Sequence, residues 1–289
     1  MNISVYITSY NQKELLRQAI DSVLAQTFKP SEIIIVDDCS ADASRELINA
    51  YQAQYPGLVK TIFHEVNTGI TQSRIDALKL AGGDYITYLD GDDLYLPGKL
   101  EEEARLISTH KADIAFSNFY TFKENPDEII SIWASNINQL PKFGNMNYEI
   151  FTRKFPNSTL FRCELISKKI LFETGFHDTQ VKIYEDFEFK IRTSKTASIA
   201  YTMKPLIMYR DNPAGLSKSK RQLHFETLQY IYTKHIDDIE MRFPDKIGEV
   251  KDRYASIFKM FSDQPAQNKK PQAPQTLSVV GRLRKLFGK

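Results

Sequence analysis

Short β-rich runs alternate with helical patterns through the first third of the chain, and this alternation constrains the fold most. Ile3, Val5 and Ile7 alternate along a first strand, whereas residues 33–36 form a continuous apolar run typical of a strand covered on both faces. Further strands are predicted at residues 59–63, 85–89 and 113–117. Helical patterns separate most of them. Because such alternation builds βαβ units, the sequence predicts an α/β fold with a parallel sheet.

The later part of the chain has weaker signals. Pro97 suits the first position of a helix that continues to Ile107. Residues 121–155 lack clear periodicity and are predicted to be irregular. Beyond them the pattern predicts a charged helix, a strand and a long helical stretch interrupted at a proline, at residues 184–192, 199–209 and 222–261.

Composition excludes several classes of protein. Of 289 residues, 42% are hydrophobic and 26% charged, which is enough apolar material for a sizeable core. A net charge of +2 is too balanced to indicate a nucleic-acid partner. Two cysteines without a CxxC or Cys/His cluster indicate neither a disulfide framework nor zinc. With no secretory signal and no long apolar run, the sequence predicts a cytoplasmic protein that is soluble or peripheral.

The C-terminal segment differs from the rest. Residues 264–275 carry three prolines and no large apolar side chain, which is the composition of a linker. Residues 277–289 place apolar side chains at helical spacing among basic ones, and from residue 264 onward there are six Lys or Arg and no acid. A basic amphipathic helix indicates an anchor to anionic lipid. Packing on the rest of the chain or on a partner subunit is the alternative.

Polar clusters follow four of the predicted elements. They lie at residues 8–11, 37–38, 67–69 and 90–93. In an open α/β sheet, ligands bind at the carboxyl edge of the strands, where all four clusters are expected. The sequence therefore predicts one ligand site at this edge.

The acidic strand end Asp90-Gly91-Asp92-Asp93 is the strongest of these features. Two carboxylates presented together can hold a divalent cation that binds diphosphate oxygens. Hard oxygen ligands favour Mg²⁺ or Mn²⁺ over zinc. The alternative is an acidic turn that caps the helix after it, and the spacing does not match a calcium loop.

Three other polar features have both a functional and a structural interpretation. Asp37 and Asp38 either accept hydrogen bonds from a base or ribose, or cap the following helix. Arg74 is either a ligand contact or a solvated side chain. Glu185 and Asp186 either include a general base or lie on a solvated helix face. The chain contains no G-x-G-x-x-G after a strand, no P-loop, no G-x-S-x-G and no H-E-x-x-H.

Taken in order, these motifs resemble the family 2 glycosyltransferases, which are inverting, nucleotide-sugar-dependent enzymes with the GT-A fold. The matching segments span residues 1 to about 217 and read TSYNQ, IIIVDDCSAD, NTGITQSRIDALKLAGGDYITYLDGDD, GFHDTQVKIYEDFEFKIR and MYRDNPAGLS. The resemblance implies a Rossmann-like mixed or parallel sheet with helices on both faces, followed by a C-terminal helical extension.

The resemblance also implies a division of the chain. Residues 1–217 would form the GT-A catalytic domain, with the nucleotide-sugar half at 1–118 and the acceptor half at 119–217. The remaining segments would be a helical extension, a Pro-rich linker and the basic amphipathic helix, at residues 218–262, 263–276 and 277–289.

On the donor side, the resemblance implies a nucleotide pocket lined by four residues, Thr8, Tyr10, Asp38 and Arg74. Asp90 and Asp92 would form the metal-binding acidic motif for Mn²⁺ or Mg²⁺, with Asp92 nearest the cation and Asp90 nearer the ribose. Asp38 and Arg74 would lie next to the base of the nucleotide.

On the acceptor side, the resemblance implies that Asp186 is the general base that deprotonates the acceptor hydroxyl, with Glu185 contacting the acceptor. The sequence departs from the family pattern at three places. Asn212 stands where many members have a histidine that can join the metal or diphosphate. Cys39 replaces a frequent glycine, and the segment around Arg74 lacks the usual Ala-Arg-Asn but keeps the arginine.

The resulting hypothesis is a metal-dependent glycosyltransferase at the inner face of a cell membrane. It would move a sugar, preferably from a UDP donor, to a glycan or glycolipid acceptor in the synthesis of a surface polysaccharide or glycolipid. The alternatives are a nucleotide-sugar hydrolase or pyrophosphorylase, and a degenerate, membrane-tethered scaffold. An intact Asp186 favours the transferase, because a pyrophosphorylase needs no base beside an acceptor pocket.

Overall fold

A computed structural model describes residues 1–213 and 220–262. Its first strands form a parallel sheet in which β1 (Ile3–Ser9) lies between β2 (Glu32–Asp37) and β4 (Tyr85–Asp90), and β2 also pairs with β3 (Val59–Phe63). Consecutive strands are joined by α1 (Lys13–Leu24), α2 (Ser44–Gln54) and α3 (Ile70–Leu80). All residues of β1 and β2 are buried, as expected of parallel strands with both faces covered.

The second part of the chain adds antiparallel pairing. Its elements are β5 (Leu94–Tyr95), α4 (Lys99–His110), β6 (Ile114–Phe122), β7 (Ile129–Ile132), α5 (Asn147–Phe151), β8 (Leu165–Ser167), α6 (Lys168–Thr174), α7 (Glu185–Thr193) and β9 (Ile199–Arg210). The strand order is β3-β2-β1-β4-β8-β6-β9-β5, and β7 pairs with β6 outside this path. Strand β8 runs antiparallel to both of its neighbours, β4 and β6. It therefore joins the first four strands, which are parallel, to the parallel pair formed by β6 and β9.

Two long helices follow the sheet. They are α8 (Arg221–Arg242) and α9 (Ile247–Ser262), separated by a 3-10 turn at Pro244–Lys246. Proline lacks the N–H that a continuing helix needs, which accounts for the break. The rings of Tyr232 and Tyr254 lie 4.5 Å apart between the two helices. Within the described ranges, no helix has the length and apolar content needed to cross a bilayer.

The predicted α/β class, with a mixed sheet and a C-terminal helical extension, is confirmed. Several details differ from the sequence prediction. Helix α4 begins at Lys99 rather than Pro97, because Gly98 precedes it in the left-handed conformation with φ 85°. The stretch predicted to be irregular contains β7 and α5. Strand β6 spans residue 118, where the two halves of the catalytic domain are expected to meet, and that division stays a prediction.

Some sequence predictions fall on residues that the structure does not describe. The Pro-rich linker at 263–276 and the basic helix at 277–289 lie outside the described ranges, as do residues 214–217 at the end of the expected catalytic domain.

A buried ion pair lies within the core on α4. Lys99 Nζ is 2.9 Å from Glu103 Oε2, and neither side chain is exposed to solvent. Lys99 also donates to Thr87 Oγ1 at 2.7 Å, and the Ser117 hydroxyl donates to Glu103 at 2.9 Å. Burial raises the pKa of Glu103 to about 7, despite the opposing effects of Lys99 and Ser117. The pair is therefore sensitive to pH in a range where most carboxyl groups are fully ionised.

Candidate active site

The carboxyl ends of β1, β2 and β4 meet at one edge of the sheet. The parallel register aligns Thr8 with Val36 on one side and with Asp90 on the other. Ser9 lies opposite Asp37, and the Asp38 amide donates to the Ser9 carbonyl at 2.9 Å. The structure thus places the polar clusters that follow these strands side by side.

Asp38 accepts an unusually full set of hydrogen bonds. Its Oδ1 accepts from the Thr68 amide and hydroxyl, both at 2.8 Å, and lies 2.8 Å from His64 Nδ1. Its Oδ2 accepts from the Gly69 amide at 2.7 Å. Burial opposes ionisation, but these contacts outweigh it and hold the pKa of Asp38 below its ordinary value. The carboxylate is therefore charged and held in one orientation at the edge of the sheet.

Thr8 and Tyr10 lie on the same edge with different exposure. Thr8 is buried, and its hydroxyl has no hydrogen-bond partner among the described residues. Tyr10 is 50% exposed just beyond the end of β1. The edge therefore has one buried and one solvent-exposed side chain at the end of β1.

Arg74 connects the edge of the sheet to the start of helix α7. Its guanidinium donates to Asp90 Oδ1 at 2.8 Å, and its Nη1 lies 3.6 Å from Glu185 Oε1. The guanidinium also packs over the Tyr88 ring, 4.3 Å from the centroid. Although burial disfavours a charged arginine, Asp90 and Glu185 hold the pKa of Arg74 well above its usual value. One permanently charged side chain therefore contacts carboxylates from two separate parts of the sequence.

Asp92 and Asp93 form an acidic turn against the end of β9. Asp92 Oδ2 accepts from the Asn212 side-chain amide at 2.9 Å. Asp93 is buried; its Oδ1 accepts from the Arg210 amide at 2.8 Å, and its Oδ2 has no hydrogen-bond partner in the described ranges. Burial, together with neighbouring carboxylates, raises the pKa of both groups. The surrounding protein therefore supplies too little positive charge to keep these two carboxyl groups at their ordinary pKa.

The carboxylate oxygens at this turn suit a hard divalent cation as ligands. The described residues contain no cluster of three or more Asp, Glu, His or Cys side chains arranged to hold a metal by themselves. Mg²⁺ commonly takes one or two carboxylates and completes its coordination with substrate phosphates. Asp90 and Asp92 offer two such carboxylates, and Asp90 is also paired with Arg74.

Glu185 and Asp186 open helix α7, and Arg74 lies between Glu185 and Asp90. Burial, with the help of Asp186, raises the pKa of Glu185 in spite of Arg74. For Asp186 the balance is reversed: burial opposes ionisation, but Lys190, Arg74 and Arg162 together lower its pKa. The pKa values of the two adjacent carboxyl groups therefore shift in opposite directions, and Asp186 is the one that stays ionised.

A small cavity of about 20 Å³ lies between the sheet and α7. Its lining includes Tyr6, Arg74, Tyr88, Glu164, Asp186 and Lys190. Arg74 and Asp186 thus border a common space.

The sequence interpretation missed several residues of this site. Lys190 could have been found, because it follows Asp186 by four residues on the predicted charged helix. Glu164 and Arg162 gave no signal, since they precede a strand of three residues that is too short for a periodic pattern. His64 lies just after β3, where a polar residue ordinarily needs no further explanation, whereas Thr68 belongs to the polar cluster predicted at residues 67–69.

A model of the family described as "Glycosyl transferase family 2" matches residues 4–168, more than half of the chain. The chain belongs to glycosyl transferase family 2. Within this family, an uncharacterised glycosyltransferase of Bacillus subtilis, YwdF, is 30% identical over 228 residues, which cover 76% of this chain and 78% of YwdF. Three uncharacterised Mycobacterium proteins are 38% identical over 110 residues, and the match spans 32% of their length.

Two solved glycosyltransferase structures share the fold. Staphylococcus aureus TarS in complex with UDP-GlcNAc has a TM-score of 0.71 at 20% identity, over 90% of this chain and 74% of that one. The mannosyltransferase PcManGT from Pyrobaculum calidifontis, in complex with GDP-Man and Mn²⁺, has a TM-score of 0.58 at 15% identity, over 82% of this chain and 64% of that one. The GT-A fold expected from the sequence motifs is confirmed.

Proposed function

We propose that this chain is an inverting glycosyltransferase that moves a sugar from a nucleoside-diphosphate donor to a hydroxyl group of a glycan or lipid-linked acceptor. The observation that carries the proposal is the double contact of Arg74, 2.8 Å from Asp90 and 3.6 Å from Glu185. It joins the carboxylates expected to face the donor to those expected to face the acceptor. A transferase must bind donor and acceptor next to each other, whereas a pyrophosphorylase does not need carboxylates that face an acceptor.

The donor side is assigned to the edge of the parallel sheet. Asp38 would accept a hydrogen bond from the nucleotide base, and Thr8 and Tyr10 would line the same pocket. The fixed orientation of the Asp38 carboxylate supports this role. We favour a UDP-sugar, because the family resemblance favours it and because the TarS structure contains UDP-GlcNAc.

Mn²⁺ or Mg²⁺ is the cofactor that the acidic turn fits. Asp92 and Asp90 would hold it, with the donor diphosphate completing its coordination. When bound, the cation supplies charge stabilisation to the departing diphosphate. The Mn²⁺ in the PcManGT complex supports this assignment.

Asp186 is the proposed general base. The acceptor oxygen forms a bond to the anomeric carbon while the bond from that carbon to the diphosphate oxygen breaks. The hydroxyl proton passes to the Asp186 carboxylate, and the nucleoside diphosphate leaves with the electron pair of the broken bond. Attack opposite the leaving group inverts the anomeric configuration, so no covalent enzyme intermediate is formed. Glu185 would contact the acceptor.

The acceptor is proposed to lie at a membrane surface. Residues 277–289 contain four Lys or Arg among regularly spaced apolar residues. Such a segment suits attachment to anionic lipid at the cytoplasmic face, where lipid-linked glycans are assembled. We therefore propose a peripheral enzyme of surface polysaccharide or glycolipid synthesis.

The first test is nucleotide binding. UDP, GDP, CDP and dTDP are each added to the full chain with and without Mn²⁺, and the thermal unfolding midpoint is followed. A ligand at about 100 times its dissociation constant stabilises the folded state by about 2.7 kcal/mol. We expect a metal-dependent shift with UDP. The absence of a shift with all four nucleotides would contradict the transferase proposal and favour a degenerate scaffold.

The second test is the Asp186→Asn variant, which keeps the shape of the side chain and removes the base. Loss of a general base lowers turnover by about 10²–10⁴-fold. UDP affinity should stay within about twofold, because Asp186 lies on the acceptor side. Asp252→Asn, at an exposed position on α9, is the matched control. Wild-type turnover in Asp186→Asn would remove this residue from the mechanism.

A further inference from the structure

The turn of α7 that carries Glu185 and Asp186 lies between two residues, Tyr184 and Glu188. Tyr184 caps the helix in the left-handed conformation, with φ 61° and ψ 23°. Residues other than glycine seldom adopt this conformation, so tertiary contacts are needed to hold it. The Glu188 amide donates to the Tyr184 carbonyl at 3.0 Å and closes the turn. The position of the acceptor-side pair therefore depends on what holds Tyr184 and Glu188.

Helix α8 holds the Tyr184 side. His224 Nδ1 lies 2.9 Å from the Tyr184 hydroxyl, and the two rings meet edge to face at 5.4 Å. Behind it, the His224 ring stacks on Phe261 of α9 at 6.2 Å. On another side, the Arg153 guanidinium lies 5.4 Å from the centroid of the Tyr184 ring. The tyrosine is thus held by its hydroxyl as well as by its ring.

Helix α8 also holds the Glu188 side. Glu188 is fully buried, and its Oε1 lies 2.8 Å from Lys234 Nζ and 3.1 Å from His235 Nε2. Arg192, one turn further along α7, donates to both Glu188 oxygens at 3.0 Å. Burial opposes ionisation, yet these contacts hold the pKa of Glu188 at about 2. A buried charge with this many partners fixes the relative position of the two helices.

The loop before α7 is held by the same helix. The Tyr230 hydroxyl donates to Asp178 Oδ2 at 2.8 Å, and Lys234 Nζ donates to the same oxygen at 2.6 Å. Lys234 therefore bridges Asp178 and Glu188. Along α8, polar side chains that contact α7 or its preceding loop recur from His224 to His235.

We propose that α8 is a positioning element of the transfer reaction, and that His224, Lys234 and His235 are positioning residues that keep Glu185 and Asp186 directed at the acceptor. The inference rests on the proposed function and deepens it, because it assigns a task to the helical extension. None of the three residues touches the reacting atoms. They act through Tyr184 and Glu188, at the two ends of the turn that carries the base.

The test is Tyr184→Phe in the full chain, which removes the hydroxyl bonded to His224 and keeps the ring. We expect kcat to fall about tenfold, since small displacements of a reacting group are costly. The donor KM and UDP binding should stay unchanged, because the donor groups lie on other elements. Tyr148→Phe is the matched control: it deletes a hydroxyl that donates to Glu249 of α9 at 2.5 Å, a contact that involves neither α7 nor α8. This control should lose stability to a similar degree and keep its kcat.

A double-mutant cycle separates positioning from general loss of stability. If His224 acts through the Tyr184 hydroxyl, the pair Tyr184→Phe with His224→Ala should lose no more turnover than the more damaging single variant. His224→Gln keeps a hydrogen-bonding side chain and should recover part of the loss. Additive losses, or an unchanged kcat in Tyr184→Phe, would overturn the inference and leave the proposed function standing.

Hydrogen exchange provides a readout that does not require activity. The Glu188 amide, bonded to the Tyr184 carbonyl, should exchange faster in Tyr184→Phe than in Tyr148→Phe. If the wild-type protein transfers no sugar from any donor, the proposed function fails. In that event, equal exchange at Glu188 in both variants would overturn the positioning role as well.

Discussion

Lys190 lies one helical turn after Asp186 on α7, and its ammonium group is 3.4 Å from Asp186 Oδ2. The same ammonium is 3.1 Å from Glu164 Oε1 and is itself buried. A proposed general base is therefore paired with a fixed positive charge that cannot move away into solvent. The pairing lowers the pKa of Asp186, so the carboxylate remains ionised at acidic pH.

Lys190→Gln should move the acid limb of the pH–rate profile to higher pH. A base works when deprotonated, so turnover falls as pH drops through the pKa of Asp186. Removing the positive charge raises that pKa, and the loss then begins at a higher pH. A lowered pKa also stabilises the folded state at higher pH, a contribution lost as pH falls through the folded-state value, and the variant should retain less of it. The measurement is kcat against pH.

Lys251→Gln is the control for this experiment, because Lys251 forms an ion pair with Glu240 on the helical extension, 3.7 Å apart. It removes the same charge from a position remote from α7. An acid limb that stays in place in Lys190→Gln would show that Lys190 does not set the ionisation of the base.

Asp92→Asn should remove the metal-dependent part of nucleotide binding. The variant keeps a side chain of the same shape beside Asn212 but has one charge fewer for the cation. We expect UDP with Mn²⁺ to shift the unfolding midpoint no further than UDP alone, whereas Asp252→Asn should keep the full shift. The metal can also be titrated directly by calorimetry in the presence of UDP. A wild-type response to Mn²⁺ would assign the cation to other ligands.

Glu103→Gln should change how stability depends on pH. Because the pKa of Glu103 rises from 4.5 to about 7 on folding, the folded state holds a proton that the unfolded state releases. The wild-type protein therefore loses stability as pH rises through this window, by at most about 1.4 kcal/mol per pH unit. The variant lacks this proton. Its stability relative to wild type should rise from pH 4.5 to 7 and then level off, as measured by urea unfolding. Parallel curves would contradict the assignment.

Truncation before Leu277 should release the protein from anionic vesicles without loss of soluble activity. Each Lys or Arg near an anionic surface contributes about 1 kcal/mol, so binding should also weaken when Arg282, Arg284 and Lys285 are replaced by glutamine. Co-sedimentation with phosphatidylserine vesicles is the measurement, and vesicles of phosphatidylcholine alone are the control. Unchanged sedimentation after truncation would favour packing of this segment on protein.

The parallel part of the fold was predictable because burial on both faces leaves a strong pattern. Residues 33–36 lie within β2, and the predicted strand at residues 59–63 coincides with β3. The acidic turn was predictable because a hydrophobic strand leads directly into it. The positions of Asp38, Arg74 and Asp186 followed from motifs whose order and spacing match a known family.

The remaining features depend on tertiary contacts. Strands β5 and β8 have two and three residues, which is too few for a periodic signal. The hydrogen bonds of Asp38 to Thr68 and Gly69 join residues about 30 positions apart. His224 and Tyr184 are separated by 40 positions, so local pattern could not pair them.

Strand β8 separates two groups of site residues that come from different parts of the chain. Residues up to Asp92 supply the side proposed for the nucleotide, and residues from Arg162 onward supply the side proposed for the acceptor. Under the proposed function this is a modular arrangement, and we expect a substitution on one side to change one specificity and leave the other intact. Two contacts cross this division: Arg74 contacts both Asp90 and Glu185, and Asn212 donates to Asp92. We therefore expect a substitution of Arg74 to alter both specificities at once, which leaves less freedom for sequence change at this position than at its neighbours.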